Sequence, residues 1–357
     1  DINANIIDRA LEDYVVSRNN HFVILLKQAW LGVGIKVLLT ATMLIIGSYL
    51  LVNENISLGH ARLSIIDLSQ LASQPMTYIH NENKYTIVFN GEIYNYIELR
   101  NDLIKVGYKF ETNSDTEVIV ALYDKFGVSS FAMLDGMFAF SIYDKTLNKV
   151  FIARDFFGEK PLYYTLNNDR FYWCSELKSI LKVLPNKPVI SKRGLNIYFQ
   201  LHYIPAPFTI YESIFKLEAN HYIELECKNL NFEIKDIKQN TTSNYSNLNK
   251  EEAIKLNHDL VNKSVESRSI SDVPIGTFLS GGVDSSIISL CLAHQSDKKI
   301  DTFSVGFDKK SFDETDKSQT VAKLINSNHH EFRLTENDLA ENIDKIILNF
   351  DEPFADS

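Results

Sequence analysis

The sequence predicts a two-part protein: a layered α+β domain of antiparallel strands, followed by an α/β domain built on a parallel sheet. Three observations carry that reading. Between Asn53 and Ile237, strand-like runs return on themselves through tight turns, with amphipathic helices segregated between them. The stretch KQNTTSNYSNLNK, Lys238 to Lys250, is polar, has little apolar surface to bury and reads as a linker. From Glu251 onward the order becomes strand, loop, helix, strand, the alternation of a parallel sheet. A chain of 357 residues, 45% hydrophobic and 23% charged, is globular in composition rather than disordered or fibrous, and at about 150 residues per domain it suits two domains.

The elements follow in order. Residues 1–52 are an atypical segment, in which 22–52 are far more apolar than anything after them. Their uncharged run, Val37 to Val52, has 16 residues, just short of the about 17 to 25 that cross a bilayer, and Gly47 and Ser48 interrupt it. Arg9, Arg18, Lys27 and Lys36 all precede the run, which would put the rest of the chain outside the cytoplasm. Membrane contact through residues 22–52 is thus the weaker reading beside a buried or foreign segment. In the domain at 53–237, Tyr85 to Phe89 is an expected strand running into Asn90-Gly91, a strong turn dipeptide. Helices are expected from Asn95 to Lys105 and from Thr116 to Phe126, closed by Gly107 and Gly127. MFAFSIYD (Met137 to Asp144) turns through KTLNK into VFIARD (Val150 to Asp155), and LYYTL turns through Asn167, Asn168 and Asp169 into RFYWC. In the domain at 251–357, strand IGTFLS leads through GGVDSS into a helix over Ile287 to His294. A strand (Asp301 to Phe307), a helix (Thr315 to Ile325) and a strand (Glu331 to Leu334) follow. That domain has no obvious finish and the chain opens on Asp1, so an incomplete chain is expected.

Lys plus Arg number 36 against 46 Asp plus Glu, a net charge of -10, so no global basic field recruits nucleic acid or an anionic membrane. Any phosphate ligand must be held locally. The three cysteines, Cys174, Cys227 and Cys291, form no CxxC pair and no metal-ligand spacing, which points to a reducing compartment.

The strongest chemical signal is Ser280-Gly281-Gly282-Val283-Asp284-Ser285-Ser286, placed between a buried strand and a helix. Two glycines let the backbone approach a ligand, hydroxyls supply donors, and the helix N-terminus favours an anion. It is neither a Walker loop nor a GxGxxG fingerprint. A carboxylate beside phosphate calls for a divalent cation between them, so Asp284 is assigned to magnesium. The bland alternative is a helix cap by Asp284 or Ser285.

This loop resembles the pyrophosphate loop of the ATP pyrophosphatases, and TFLSGGVDSSIIS with TFSVGF resembles the asparagine synthetases. GHARLSIIDLS, QPM, FNGEIYN, SDTEV, MFAFSIYD, ARDFFGEKPLYY, SELKSI, PAPFTIYESIFKLEANHY and DEPFADS are similar to the glutamine-hydrolysing form, from about Asn53 to Ser357. The resemblance implies an N-terminal-nucleophile-type αββα amidotransferase, followed by a partial ATP pyrophosphatase domain with a parallel sheet. It implies ATP-dependent conversion of aspartate to asparagine through β-aspartyl-AMP, with ammonia from glutamine, in the cytoplasm and often as a homodimer. Carried over residue by residue, Arg62 matches the arginine that grips the glutamine α-carboxylate, and Asn90 and Gly91 match the oxyanion pair. Glu92 and Asp115 match carboxylates at the α-amino end, with a helix cap as the bland reading of Asp115. Leu279 and Val305 match backbone positions at the adenine nucleotide; Ser280, Gly281, Gly282, Asp284 and Ser285 match the pyrophosphate and metal loop.

The chain departs from the family in two places. The family's nucleophile is an N-terminal cysteine whose own α-amine is the base, and an internal thiol such as Cys174 cannot replace it, so glutamine hydrolysis is expected to be absent. An SGEG-type loop, expected beyond DEPFADS, is also missing, so asparagine synthesis by this polypeptide alone is not expected. Two other readings stay open: an amidotransferase acting on another carboxylate, and a non-catalytic remnant.

Overall fold

The computed structural model describes residues 49–53, 56–237, 248–311 and 313–355. Most of the atypical segment at 1–52 and most of the linker at 238–250 lie outside the described residues. The chain divides into two compact bodies; one comprises Gly47–Ala253, Ile270–Val273 and Asn349–Ser357, and the other contains Ile254–Ser269 and Pro274–Leu348. Among the described residues, no helix is long and apolar enough to cross a membrane.

The first body is built on strand alternation that buries both faces of a sheet. It opens with a two-stranded antiparallel ribbon, β1 (Tyr49–Asn53) against β2 (Ile56–Gly59). Strands β3 (Met76–His80), β4 (Asn83–Ile93), β5 (Gly136–Asp144), β6 (Lys149–Arg154), β10 (His221–Glu226) and β11 (Phe232–Asp236) form one antiparallel sheet in the order β11-β10-β6-β5-β4-β3. Successive residues of β5 and β6 face opposite ways. Phe138, Phe140, Ile142, Phe151 and Ala153 join a core with the helices Tyr96–Lys105 and Asp115–Phe126, through Leu103, Val118, Ile119 and Leu122. Ala139, Tyr143, Val150 and Ile152 join a second core with Tyr164 and Phe171. Those two residues belong to a smaller antiparallel sheet, in which β7 (Tyr163–Asn167) lies between β8 (Arg170–Cys174) and β9 (Phe215–Lys216). The opposite face of that sheet, through Tyr163, packs with Leu177, Ile180 and Leu184 around the helix Leu177–Val183. Three cores between four layers make a helix, sheet, sheet, helix sandwich, as the α+β pattern of the sequence predicts.

Local chemistry sets the element ends. The β3-β4 hairpin turns at Asn81 and Glu82, both in the left-handed region, and the β7-β8 hairpin turns at Asn168 and Asp169 in the same way. The helices end at Lys105 and Phe126, with Gly107 at φ 100° and Gly127 at φ 59° just beyond, as expected. The Asn90-Gly91 turn, however, does not form. β4 runs unbroken through both residues, with Gly91 opposite Phe138. A Cβ at Gly91 would meet the Met137 carbonyl oxygen at 2.0 Å, so glycine is there for close strand approach rather than for a turn.

The second body holds the expected parallel sheet. β12 (Gly276–Phe278), β13 (Asp301–Phe307) and β14 (Asn328–Leu334) lie in that order, joined by the helices Val283–Gln295 and Thr315–Leu324. The strand-to-helix crossovers put the loop after β12 at the carboxyl end of a strand, where ligands bind open α/β sheets.

Candidate functional site

In the first body, Arg62, Asn90, Gly91, Glu92 and Asp115 all line one cavity of about 120 Å³, together with His60, Gln74, Thr116 and Lys160 among others. Three segments far apart in sequence meet there. Arg62 comes from the loop after β2; Asn90, Gly91 and Glu92 come from the last part of β4; Asp115 is the first residue of the helix Asp115–Phe126.

Asp115 is almost wholly buried. Burial pushes its carboxyl up to about 6, against bonds from the Ile93 and Thr116 amides; Glu92 raises it further and Arg62 opposes. Ser114 supplies the helix cap, its hydroxyl accepting from the Thr116 amide, while Asp115 Oδ2 accepts from the Ile93 amide at 3.1 Å. Burial also raises the Glu92 carboxyl, against the pull of Lys160. His60 is pushed down to about 4 by burial and by the Arg62 charge, and so is neutral at physiological pH. The pocket therefore carries a guanidinium and buried carboxylates together, a charge pattern that complements the carboxylate and ammonium of an α-amino acid.

Arg62 is held by its own loop: its Nη2 donates to the Ile66 carbonyl at 2.7 Å and to the Asp67 carbonyl at 2.9 Å. Asp67 in turn accepts from the Ser69 amide at 2.9 Å and the Asn113 amide at 2.7 Å, which ties the arginine loop to the segment leading into Asp115. The Asn90 side-chain amide donates to the Ser175 hydroxyl at 3.1 Å, and so is oriented from outside its own strand. Gln74 is buried, accepts from the Phe89 amide at 2.6 Å and donates to Thr116 at 3.2 Å, bracing β4 against the helix. Gln74, Lys160 and Ser175 lie inside the motifs QPM, ARDFFGEKPLYY and SELKSI, yet nothing local in the sequence signals that the first two line the cavity or that Ser175 orients Asn90. None of the three cysteines lines the cavity. Cys174 ends β8, and its thiol donates to the Glu176 carbonyl at 2.8 Å.

In the second body, the residues expected from the sequence to form a nucleotide loop lie close together along the chain. Leu279 is fully buried and its amide donates to the Phe303 carbonyl at 2.7 Å, extending β12; Val305 lies two residues further along β13 and is half-exposed. Gly281 turns the chain at φ 82°, and the next helix starts after Gly282 with no side-chain cap, so neither Asp284 nor Ser285 is its cap. The Ser280 and Ser285 hydroxyls lie 3.0 Å apart, Ser286 Oγ donates to the Gly282 carbonyl at 2.6 Å, and Asp284 sits in the first helical turn. Uncapped N–H donors, hydroxyls and one carboxylate form a set that can hold a phosphate and a hard cation.

The two bodies define a protein in which an amidotransferase-type sandwich is joined to a nucleotide-loop domain. Comparison with known families agrees: the glutamine amidotransferase domain matches residues 47–235, and asparagine synthase matches residues 257–357. The chain belongs to the glutamine-hydrolysing asparagine synthetase family. It is 39% identical over 325 residues to a putative asparagine synthetase [glutamine-hydrolyzing] 2 of Methanocaldococcus jannaschii, covering 85% of this chain and 61% of that protein. It is 38% identical over 308 residues to asparagine synthetase [glutamine-hydrolyzing] 1 of Bacillus subtilis, covering 85% of this chain and 47% of that one. A protein of Gibberella zeae named amidase chry2 is 32% identical over 247 residues, covering 68% of this chain and 35% of its own length. The chain thus spans about half to three-fifths of the length of the first two relatives.

Proposed function

We propose that this protein acts in ATP-dependent conversion of aspartate to asparagine with glutamine as nitrogen donor, and that its two bodies hold glutamine and ATP respectively. The observation that carries the reading is convergence: five residues named from separate motifs line one cavity. In it, Arg62 takes the glutamine α-carboxylate, Glu92 and Asp115 take the α-ammonium, and Asn90 with Gly91 faces the side-chain carbonyl, where an oxyanion develops on attack. Hydrolysis needs a thiol at that carbonyl, and none of the three cysteines lines the cavity. Cys174, Cys227 and Cys291 are therefore not assigned to the hydrolytic step.

In the second body, Ser280, Gly281, Gly282 and Ser285 cradle the pyrophosphate of ATP, the backbone at Leu279 and Val305 meets the nucleotide, and Asp284 holds magnesium, which neutralises phosphate charge when bound. The aspartate side-chain carboxylate attacks the α-phosphorus and pyrophosphate leaves; ammonia then attacks the acyl carbon and AMP leaves, giving asparagine. The domains are taken as 53–237 and 251–357, with a linker between. The cytoplasm, which supplies ATP, is the site of action, and a homodimer goes with the family resemblance.

Calorimetric titration of the full chain with glutamine, and separately with ATP in the presence and absence of Mg²⁺, tests the reading. Saturable glutamine binding that Arg62→Ala abolishes supports it; no heat with either ligand overturns it in favour of a non-catalytic remnant. Product analysis with aspartate omitted distinguishes this from the other enzymatic reading, transfer of nitrogen to another carboxylate.

A further inference from the structure

We propose that Asp272 is a positioning residue for Arg62, acting through a single peptide group. Asp272 follows the linker in sequence, yet Ile270–Val273 belongs to the first body. Its Oδ2 accepts from the Asp67 amide at 2.7 Å, and its own amide donates to the Ile65 carbonyl at 3.0 Å. The Asp67 N–H and the Ile66 carbonyl are the two ends of one peptide unit, and that carbonyl accepts from Arg62 Nη2 at 2.7 Å. A carboxylate, a peptide dipole and a guanidinium thus stand in line, the arrangement in which each hydrogen bond polarises the next.

The consequence is geometric as well as electrostatic. Ile65 and Ile66 both line the cavity, so the bonds from Asp272 fix a stretch of its wall. The Asp67 side chain carries the restraint on to Asn113, two residues before Asp115. The groups assigned to the two charged ends of glutamine are therefore registered to each other by a residue 210 positions after Arg62 in sequence. The Ser271 hydroxyl shapes the supporting turn, accepting from the Val273 amide at 3.1 Å and donating to the Val273 carbonyl at 3.0 Å. This inference rests on the reading of the cavity as a glutamine site.

The test compares Asp272→Ala and Asp272→Asn in the full chain. Asp272→Ala should weaken glutamine binding by about tenfold or more, whereas Asp272→Asn, which keeps an acceptor for the Asp67 amide, should stay within about threefold of the parent. ATP binding and melting temperature should be unchanged in both. Amide hydrogen exchange gives a readout that needs no ligand: Asp272→Ala should lower protection over residues 62–69 and leave the helix Asp115–Phe126 unaltered. Unchanged protection, or equal losses of glutamine binding, ATP binding and melting temperature, overturns the proposal. If the parent chain binds no glutamine while the exchange result holds, it is the glutamine reading that fails and the positioning of the arginine loop that stands.

Discussion

A methyl group added to Gly91 would lie 2.0 Å from the Met137 carbonyl oxygen and 2.8 Å from the Phe138 Cα. Both neighbours are backbone of the paired strand β5 and cannot turn aside. Gly91→Ala should therefore pry β4 from β5 at the cavity, at a cost of about 3 kcal/mol, lowering the melting temperature by roughly 6 °C or more. Glutamine binding should be lost with it. A thermal shift below about 2 °C would show that the strands part more easily than the packing indicates.

The same position shows what the sequence could and could not disclose. Short apolar and aromatic runs separated by turn residues announced β5, β6, β7 and β8 as hairpins, because strands buried on both faces read as continuous rather than alternating runs. Asn90-Gly91 reads locally as a turn, and only the partner strand reveals that the glycine serves close approach. Arg62, Asn90 and Asp115 were legible because each lies in a motif. The bonds that orient them come from Ser175, Asp67 and Asp272, and no pattern in a single chain signals that a serine 85 residues away, or an aspartate 205 residues from Asp67, completes the geometry.

If Asp115 meets the glutamine ammonium as proposed, glutamine binding should depend on pH. Burial raises its carboxyl from 3.8 to about 6, and only the ionised form can meet an ammonium. Affinity should fall as pH drops through about 6, approaching tenfold per pH unit below it, and Asp115→Asn should weaken binding and flatten the profile. Glu92, also raised by burial, adds in the same direction, and His60, held at about 4, stays neutral over most of that window. Fold stability runs the opposite way. The native state holds the Asp115 proton more tightly than the unfolded chain, so this contribution is fully present below 3.8 and is lost as pH rises through about 6. Calorimetry between about pH 5 and pH 8 checks the binding arm; a parent profile as flat as that of the variant would refute it.

Cys174 is a structural thiol. Burial pushes it up to about 11, and it is spent on the Glu176 carbonyl. Cys174→Ser should leave glutamine binding unchanged, and alkylation at neutral pH should be on the order of 100-fold slower than for an unperturbed cysteine. Rapid modification accompanied by loss of binding would place the thiol at the pocket instead.

Lys216 and Glu352 form an ion pair with only 15% and 10% of their side-chain surfaces exposed. Glu352 also accepts from the Ile210 amide at 2.7 Å, anchoring residues 351–355 beside the small sheet. Lys216→Met strands the carboxylate and should cost about 3 kcal/mol. Adding Glu352→Gln removes the buried charge and keeps an acceptor for Ile210, so the double variant should recover part of the loss in chemical denaturation. Strictly additive losses would show that the pair is solvated rather than buried.

The two loop glycines should fail for different reasons. Gly281 sits at φ 82°, and a Cβ there would lie 2.5 Å from the Lys317 Cβ and 2.8 Å from the Ser318 amide nitrogen. Gly281→Ala is thus a folding defect, with about 1–3 kcal/mol of stability lost, because both the backbone conformation and the packing oppose it. Gly282 has ordinary helix-start geometry, and a Cβ would meet only the Ser280 hydroxyl at 3.3 Å. The fold therefore tolerates alanine at Gly282, and any effect there reports on a ligand that must come close to the backbone. If the loop holds the pyrophosphate of ATP, Gly282→Ala should weaken nucleotide binding by about tenfold with no change in melting temperature. Unaltered ATP binding by that variant would mean that the phosphates do not approach the backbone at Gly282, and the nucleotide role of the loop would have to be given up.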